Sequence, residues 1–203
     1  MNPLIDTDAF CKLGVAGLLQ DAVEIFGARL TDCRRLPALP HMLRRGGLRR
    51  RYGESACDAL IPLADQVPEI GTVSTEWLDR FALIESVDPG EAQLYAASAE
   101  QGLIVLSDDK KALRSVKDVE DLAAALAGRI AVLAAILLAL CERRGADEIR
   151  RRISAVAPLD RMVQMCFSAG NSDPREGLHS YYNSLAAEVR PLVLWDPWAE
   201  GAA

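Results

Sequence analysis

Aromatic residues and long apolar runs are scarce in this sequence, and no segment has the pattern of a targeting signal. Phenylalanine, tryptophan and tyrosine together make up 5% of the 203 residues, so alanine and leucine are expected to fill most of the core. The longest apolar run covers residues 130–141, well short of the ~20 residues needed to cross a bilayer. The amino terminus has no basic region ahead of an apolar run. We therefore expect no membrane association and a cytoplasmic protein.

The cysteines form no recognisable metal or redox motif. Five are present, an odd number, and no two have the C-x-x-C spacing of zinc and dithiol sites. Their spacing does not suggest a disulfide framework either. We expect small, buried, apolar side chains in a reducing compartment. The five are Cys11, Cys33, Cys57, Cys141 and Cys166.

Positive charge is in the minority overall but concentrated locally. The chain has 23 lysines and arginines against 29 acids, a formal net charge of −6, which argues against indiscriminate binding to polyanions. Seven arginines nevertheless fall within residues 34–51, where a Gly-Gly pair predicts helix, turn, helix. Arginine forks suit phosphate oxygens, although a solvated surface paired with acids is an alternative. The candidate substrate-binding residues in this block are Arg44, Arg45, Arg49 and Arg50.

The clearest succession of structural elements lies in residues 86–114. A helix is predicted to begin at Asp88, an N-cap followed by proline, and to end at a glycine. Residues 103–106 then form a continuous apolar run, typical of a strand buried on both faces of a parallel sheet. Asp108 and Asp109 follow almost at once. Carboxylates just beyond the carboxyl end of such a strand lie where open α/β sheets place their binding sites.

The first residues of the chain repeat this arrangement. Leu4 and Ile5 make a short apolar strand that is followed by Asp6 and a helix. If the two strands are parallel neighbours, Asp6 and Asp108 emerge at the same edge, and Glu91 at the start of the intervening helix can join them. Converging carboxylates repel one another unless a cation lies between them, and Mg²⁺ and Mn²⁺ take oxygen ligands. The sequence therefore predicts a divalent metal site.

Each acid also has a purely structural interpretation. Glu91 stands three residues after Asp88, the spacing of a capping box. Asp108 can cap a helix that starts at Asp109, and Asp8 can cap the first helix. Taken singly, capping explains each position at least as well as catalysis. It does not explain why acids follow two apolar strands directly, so we favour a shared metal site.

Three blocks of the sequence resemble the PIN-domain ribonucleases. They are L-I-D-T-D at residues 4–8, D-P-G-E-A at residues 88–92 and L-S-D-D-K-K-A at residues 106–112. The resemblance covers most of a first domain, residues 1–145, and implies an α/β fold of three layers, α/β/α, around a central parallel sheet. Residues 146–203 lie outside it. They are expected to form a mainly helical C-terminal extension that packs on the domain or on a partner.

The resemblance also implies roles for the acids. In this family, acids at the corresponding positions bind Mg²⁺ or Mn²⁺ and cleave RNA, leaving a 5′-phosphate and a 3′-hydroxyl. Asp6, Glu91 and Asp108 are then the expected metal ligands. Asp109 is the fourth catalytic candidate, as a ligand of a second metal ion or as the residue that orients the attacking water. Lys110 is expected to contact the scissile phosphate.

These expectations favour a metal-dependent endoribonuclease that acts as a toxin or defence effector. RNA is the expected substrate, and the family implies an antitoxin or other protein partner and a homodimer. Two alternatives stay open. One is a catalytically silent PIN-like module that binds a protein, and the other is a nuclease specific for DNA structures. The family usually carries one more acid in the helix after the second strand, and residues 34–43 contain none, which raises the chance of an altered metal site or of lost activity.

The remaining pattern predicts mostly helix. A single first helix is expected over residues 9–26, and Pro62 is expected to bend or end the helix in which it falls. Residues 122–140 have the pattern of a helix rather than a strand. Residues 147–156 carry charge on most faces and are expected to extend outward. Residues 192–195 are expected to add an edge strand.

Overall fold

A parallel sheet forms the centre of the computed structural model, which describes residues 2–168 and 170–198. Its four strands in this described part are β1 (Leu4–Ile5), β2 (Arg34–Arg35), β3 (Val105–Ser107) and β4 (Ile130–Val132). They lie in the order β2-β1-β3-β4, and all neighbouring strands are parallel. Parallel neighbours need long crossover connections, which are helical here. The chain is therefore α/β, as predicted.

Helices make up most of the described residues. In chain order they are α1 (Thr7–Val15), α2 (Leu19–Glu24), α3 (Leu39–Arg44), α4 (Gly47–Tyr52), α5 (Glu54–Gln66), α6 (Thr75–Ala82), α7 (Pro89–Gln101), α8 (Lys110–Val116), α9 (Glu120–Ala125), α10 (Leu133–Arg144), α11 (Ala146–Ile153), α12 (Arg161–Cys166) and α13 (Pro174–Glu188). Short 3₁₀ helices cover Leu30–Asp32 and Ala157–Leu159.

The core is continuous from the sheet to the last helix. The side chains of β1 and β3 are buried, and α10 is buried along residues 133–141, as expected of a helix that is apolar on all sides. Ile149 and Ile153 of α11 are also fully buried. Each such aliphatic side chain stabilises the fold by about 1.5–3 kcal/mol through its removal from water. The prediction that residues 147–156 extend outward is therefore wrong, while the domain boundary at residue 145 stays a prediction.

The expected first helix is divided into α1 and α2. The break falls at Gly17, whose φ of 65° suits glycine far better than a residue with a side chain. Gly14 serves a different purpose, since a Cβ atom at this position would collide with the side chain of Leu60 in α5. Glycine therefore allows close contact between α1 and α5, which brings the arginine-rich segment that precedes α5 towards the end of β1.

Two further expectations differ from the structure, and a third is narrowed by it. Pro62 does not end its helix, because α5 continues to Gln66, so only the expected bend stays a prediction. Residues 122–140 contain β4 as well as helix, since a wholly apolar run carries no periodicity that would separate a buried strand from a buried helix. Residues 192–195 form no strand in the part of the chain that the structure describes. They still lie beside β4, where the Trp195 N–H donates to the Ile130 carbonyl at 2.8 Å.

The expected burial of the cysteine side chains is confirmed, because all five are buried. Of the helices in residues 2–168 and 170–198, none combines the length and the apolar character that crossing a membrane requires.

Candidate active site

The carboxyl ends of β1 and β3 place two acids at the same edge of the sheet. Ile5 pairs with Leu106, and the Asp6 N–H donates to the Leu106 carbonyl at 3.0 Å. Both Asp6 and Asp108 line a cavity of about 310 Å³. The other lining residues are Thr7, Asp8, Met42, Leu48, Arg51, Asp88, Glu91 and Asp109. All four acids singled out as catalytic candidates therefore face one cavity.

Asp6 is the N-cap of α1. Its carboxylate accepts a hydrogen bond from the Asp8 N–H at 3.2 Å, so the expectation that Asp8 caps this helix is wrong. Burial raises the pKa of Asp6 to about 6, and the nearby charges of Asp8 and Asp88 act in the same direction. The ionised form is therefore destabilised in the metal-free protein, even though it caps a helix.

Glu91 belongs to a capping box, as its spacing predicted. The Asp88 N–H donates to Glu91 Oε2 and the Glu91 N–H donates to Asp88 Oδ1, both at 2.8 Å. The side chain is buried, and burial raises the pKa of Glu91 to about 8, with further contributions from the charges of Asp109, Asp88 and Asp6. Capping thus accounts for one oxygen of Glu91 but does not explain why so many carboxylates share the cavity.

Asp109 is exposed and caps α8. Its Oδ1 accepts hydrogen bonds from the N–H groups of Lys111 and Ala112, at 2.8 and 3.0 Å. The expectation that Asp108 caps this helix is therefore wrong, since its neighbour does so. Asp109 lines the cavity from the rim, and its cap hydrogen bonds fix its position there.

Asp108 is the acid that capping does not explain. Its Oδ2 accepts from the ammonium of Lys12 at 2.9 Å, and its buried Oδ1 has no hydrogen-bond partner. The side chain is only 4% exposed. Burial raises the pKa of Asp108 to about 6 although the charge of Lys12 opposes the change. An unpaired buried carboxylate oxygen carries a large desolvation cost, which a cation in the cavity would offset.

Lys12 holds three carboxylates together at the side of this cavity. Its Nζ lies 2.7 Å from Asp8 Oδ2, 2.9 Å from Asp108 Oδ2 and 2.5 Å from Asp160 Oδ2. The lysine is 3% exposed. Burial alone would lower its pKa, but the charges of Asp108 and Asp8 and the hydrogen bond to Asp160 raise it above its usual value. Lys12 is thus a permanent cation within the site.

Sequence reasoning missed both Lys12 and Asp160. A signal for Lys12 was present, because it stands between apolar residues of α1, four positions after Asp8, where a charged side chain needs a partner. Asp160 gave no such signal. It is separated from Lys12 by 148 positions and sits at the N-cap of α12, where its Oδ1 accepts from the Val163 N–H at 3.0 Å.

The arginine nearest the carboxylates is Arg51. It lines the cavity and lies 2.8 Å from Asp8 Oδ1, which also accepts a hydrogen bond from the Tyr52 hydroxyl at 2.9 Å. Of the predicted substrate-binding arginines, Arg49 is paired with Asp58 at 2.6 Å. The others do not line the cavity: Arg44 lies 3.9 Å from Asp65, and Arg45 and Arg50 are exposed.

Lys110 lies over an aromatic ring rather than in the cavity. Its Nζ is 4.7 Å from the centroid of the Tyr181 ring, a distance at which a cation–π attraction operates. Lys110 directly follows Asp109 in the sequence but does not line the cavity, so its expected contact with the scissile phosphate stays a prediction.

The donors at this edge suit a hard divalent cation by their chemistry. They are carboxylate oxygens, and one of them is buried without a partner. Within the described residues, no three His, Cys, Asp or Glu side chains are arranged so that they could hold a metal ion together. Mg²⁺, however, commonly keeps several waters and binds one or two carboxylates plus substrate phosphates. The carboxylates of Asp6 and Asp108 follow neighbouring strands and line the same cavity, and Glu91 lines it with them.

The metal-free protein is expected to become more stable as the pH falls from about 8 to about 5. The carboxyl groups of Asp6, Asp108 and Glu91 have pKa values of about 6, 6 and 8 when folded, against about 4 when unfolded. Such groups take up protons on folding. The free-energy cost of burying their ionised forms is therefore absent below about pH 4 and reaches its full size as the pH rises through the pKa values of the folded chain. Urea unfolding in the presence of a chelator at several pH values measures how the free energy of unfolding depends on pH. A free energy of unfolding that falls on acidification over this range contradicts it.

Comparisons with known proteins return no relative. Models of protein families find no match in this chain, and neither do searches of curated proteins and of solved structures.

Proposed function

We propose that this chain is a Mg²⁺- or Mn²⁺-dependent endoribonuclease with a PIN-like α/β/α fold. The observation that carries the proposal is Asp108, a buried carboxylate at the end of β3 that caps nothing and keeps one oxygen unpaired. It shares a cavity with Asp6, Glu91 and Asp109 at the carboxyl edge of a parallel sheet, the usual place for a site in such folds. The resemblance of the three sequence blocks to PIN-domain ribonucleases supports the same function.

The roles of the acids follow from their surroundings. Asp6 and Asp108 would hold the metal ion directly, and Glu91 would complete its surroundings through water. When bound, the ion lowers the pKa of water and stabilises charge on the phosphate. Asp109, the most exposed of the four, orients the attacking water at the rim.

Arg51 is expected to bind the substrate backbone. It lines the cavity together with the carboxylates and pairs with Asp8, which a phosphate can replace as its partner. Arg51→Ala should weaken binding of a single-stranded RNA about tenfold and reduce the salt dependence by the equivalent of roughly one phosphate contact. Arg50→Ala removes the same charge from an exposed neighbour outside the cavity and is the matched control. Equal effects of the two substitutions in a binding titration would show that the cavity is not the point of contact.

Cleavage of a labelled single-stranded RNA tests the proposal. The wild type is incubated with Mn²⁺ or with a chelator beside Asp108→Asn, and Asp118→Asn serves as a control at an exposed aspartate. We expect metal-dependent cleavage with 5′-phosphate ends by the wild type and the control, and none by Asp108→Asn. Equal cleavage by wild type and Asp108→Asn would refute the proposal. Preferential cleavage of DNA flaps in a parallel panel would assign the site to DNA structures instead.

A second function is favoured by the C-terminal segment. An apolar groove of about 360 Å³ lies between α12 and α13, lined by Met162, Met165, Cys166, Gly177, Ser180, Tyr181 and Ser184. Met165 is 63% exposed, and exposed methionines are frequent at protein-binding surfaces. A silent PIN-like module that binds a protein here predicts no Mn²⁺ affinity and no cleavage. It also predicts a stoichiometric partner that is released when Met165 is replaced by glutamate.

A further inference from the structure

The three carboxylates around Lys12 converge on a single point. An ammonium group has three N–H donors, and Asp8, Asp108 and Asp160 each lie within hydrogen-bond distance of Nζ, at 2.5–2.9 Å. These oxygens come from α1, from the end of β3 and from the start of α12. Divalent cations bind oxygen ligands at about 2.0–2.6 Å, so the three carboxylates of the described chain, spaced around an ammonium, are not arranged as a metal site and would have to move inward to hold an ion once the ammonium is removed.

The positive charge at the site is unevenly distributed. Lys12 and Arg51 both pair with acids on one side, where Asp8 contacts the two of them. In the described part of the chain, no lysine or arginine forms an ion pair with Asp6 or Glu91 on the other side. The unpaired Oδ1 of Asp108 belongs to a carboxylate whose other oxygen is already bound to Lys12. Asp108 therefore lies between two sides of the site. On one side Lys12 neutralises the carboxylates, and on the side of Asp6 and Glu91 the described residues supply no such cation.

We propose that the ammonium of Lys12 takes the place of a second divalent cation, so that the site binds one metal ion where its carboxylates could hold two. Asp160 is the third ligand of this position and comes from the C-terminal segment. The consequence for catalysis rests on the proposed function: a nuclease of this kind works with one exchangeable ion and one fixed cation. The ammonium also stabilises the arrangement without metal, because three carboxylates without it would repel one another.

The number of Mn²⁺ ions bound per chain tests directly whether Lys12 takes the place of a second ion. Lys12→Ala removes the ammonium and leaves space for an ion among three carboxylates. We expect calorimetry to show one more Mn²⁺ per chain for Lys12→Ala than for the full-length wild type. The double variant Lys12→Ala/Asp160→Asn, which lacks the third ligand, should lose the additional ion. Electron paramagnetic resonance should show coupled Mn²⁺ pairs in the single variant alone, because both ions would share Asp108.

Equal stoichiometry for wild type and Lys12→Ala overturns the inference, and so does a wild type that already binds two ions. If Lys12→Ala unfolds in a chelator, Mn²⁺ is expected to restore its circular dichroism spectrum, and failure to do so counts against the inference. Lys12→Gln, which keeps hydrogen bonding without charge, provides a second variant judged in the same way. If the wild type binds no Mn²⁺ while Lys12→Ala binds one ion, this result would refute the proposed nuclease but support the role of the ammonium.

Discussion

Asp6→Asn is expected to abolish metal-dependent cleavage and, at the same time, to stabilise the metal-free protein. Burial raises the pKa of Asp6 to about 6, so the ionised carboxylate is a cost at pH 8 that a neutral amide removes. Asparagine is as good an N-cap as aspartate, and the hydrogen bond from the Asp8 N–H can therefore remain. We expect a gain on the order of 1 kcal/mol in the free energy of unfolding and at least ~10²-fold slower cleavage.

Denaturant unfolding in a chelator and RNA cleavage with Mn²⁺ measure the two effects separately. Asp118→Asn, at an exposed position outside the cavity, should change neither by much. If Asp6 is a metal ligand, the substitution should lower the cleavage activity and raise the stability. If Asp6 only caps α1, cleavage should be retained. Asp6→Asn with full activity would remove Asp6 from the site, whatever happens to stability.

Lys12→Met is expected to lower the free energy of unfolding by about 3–5 kcal/mol at pH 8, because it strands buried carboxylates without their cation. The pKa of Lys12 is raised in the folded chain, so its contribution is complete below the unfolded pKa of about 10.4 and is lost only above that pH. In the variant, Asp108 and Asp160 lose the charge that lowers their pKa values. The loss should therefore shrink as the pH falls towards 5.

Urea unfolding of both proteins at pH 8 and pH 5 tests this expectation. Lys111→Met, at an exposed position in α8, is the matched control and should change stability by less than about 0.5 kcal/mol. Since small domains are stable by about 5–15 kcal/mol, the expected loss is a large fraction of the total. A loss below about 1 kcal/mol at pH 8 would mean that Lys12 does not hold the cluster together.

The sheet edge could be predicted from sequence because its signals are local. Short apolar runs that end in acids predict buried parallel strands, and the structure pairs Ile5 with Leu106 and brings both acids to one cavity. Helix α7, with Asp88 as its N-cap and Gly102 as its C-cap, could also be predicted from the sequence. Its proline, capping box and left-handed glycine depend only on neighbouring residues.

The parts that could not be predicted depend on contacts between distant segments. The Asp160 carboxylate meets Lys12 across 148 positions, and periodicity along the chain carries no information about such a pair. Strand β4 was missed because its apolar run continues without interruption into α10. The prediction of substrate-binding arginines rests on their local density alone, whereas the arginine that lines the cavity, Arg51, is the last of this segment.

Mn²⁺ binding by calorimetry tests the central claim most directly, namely that the acids after β1 and β3 form one metal site. The proteins to compare are the wild type, Asp6→Asn, Asp108→Asn and the control Asp118→Asn. We predict saturable binding by the wild type and the control, with affinity reduced at least ~10-fold to 100-fold in each of the other two. Binding that is unchanged in both Asp6→Asn and Asp108→Asn, or absent from the wild type, would contradict the account.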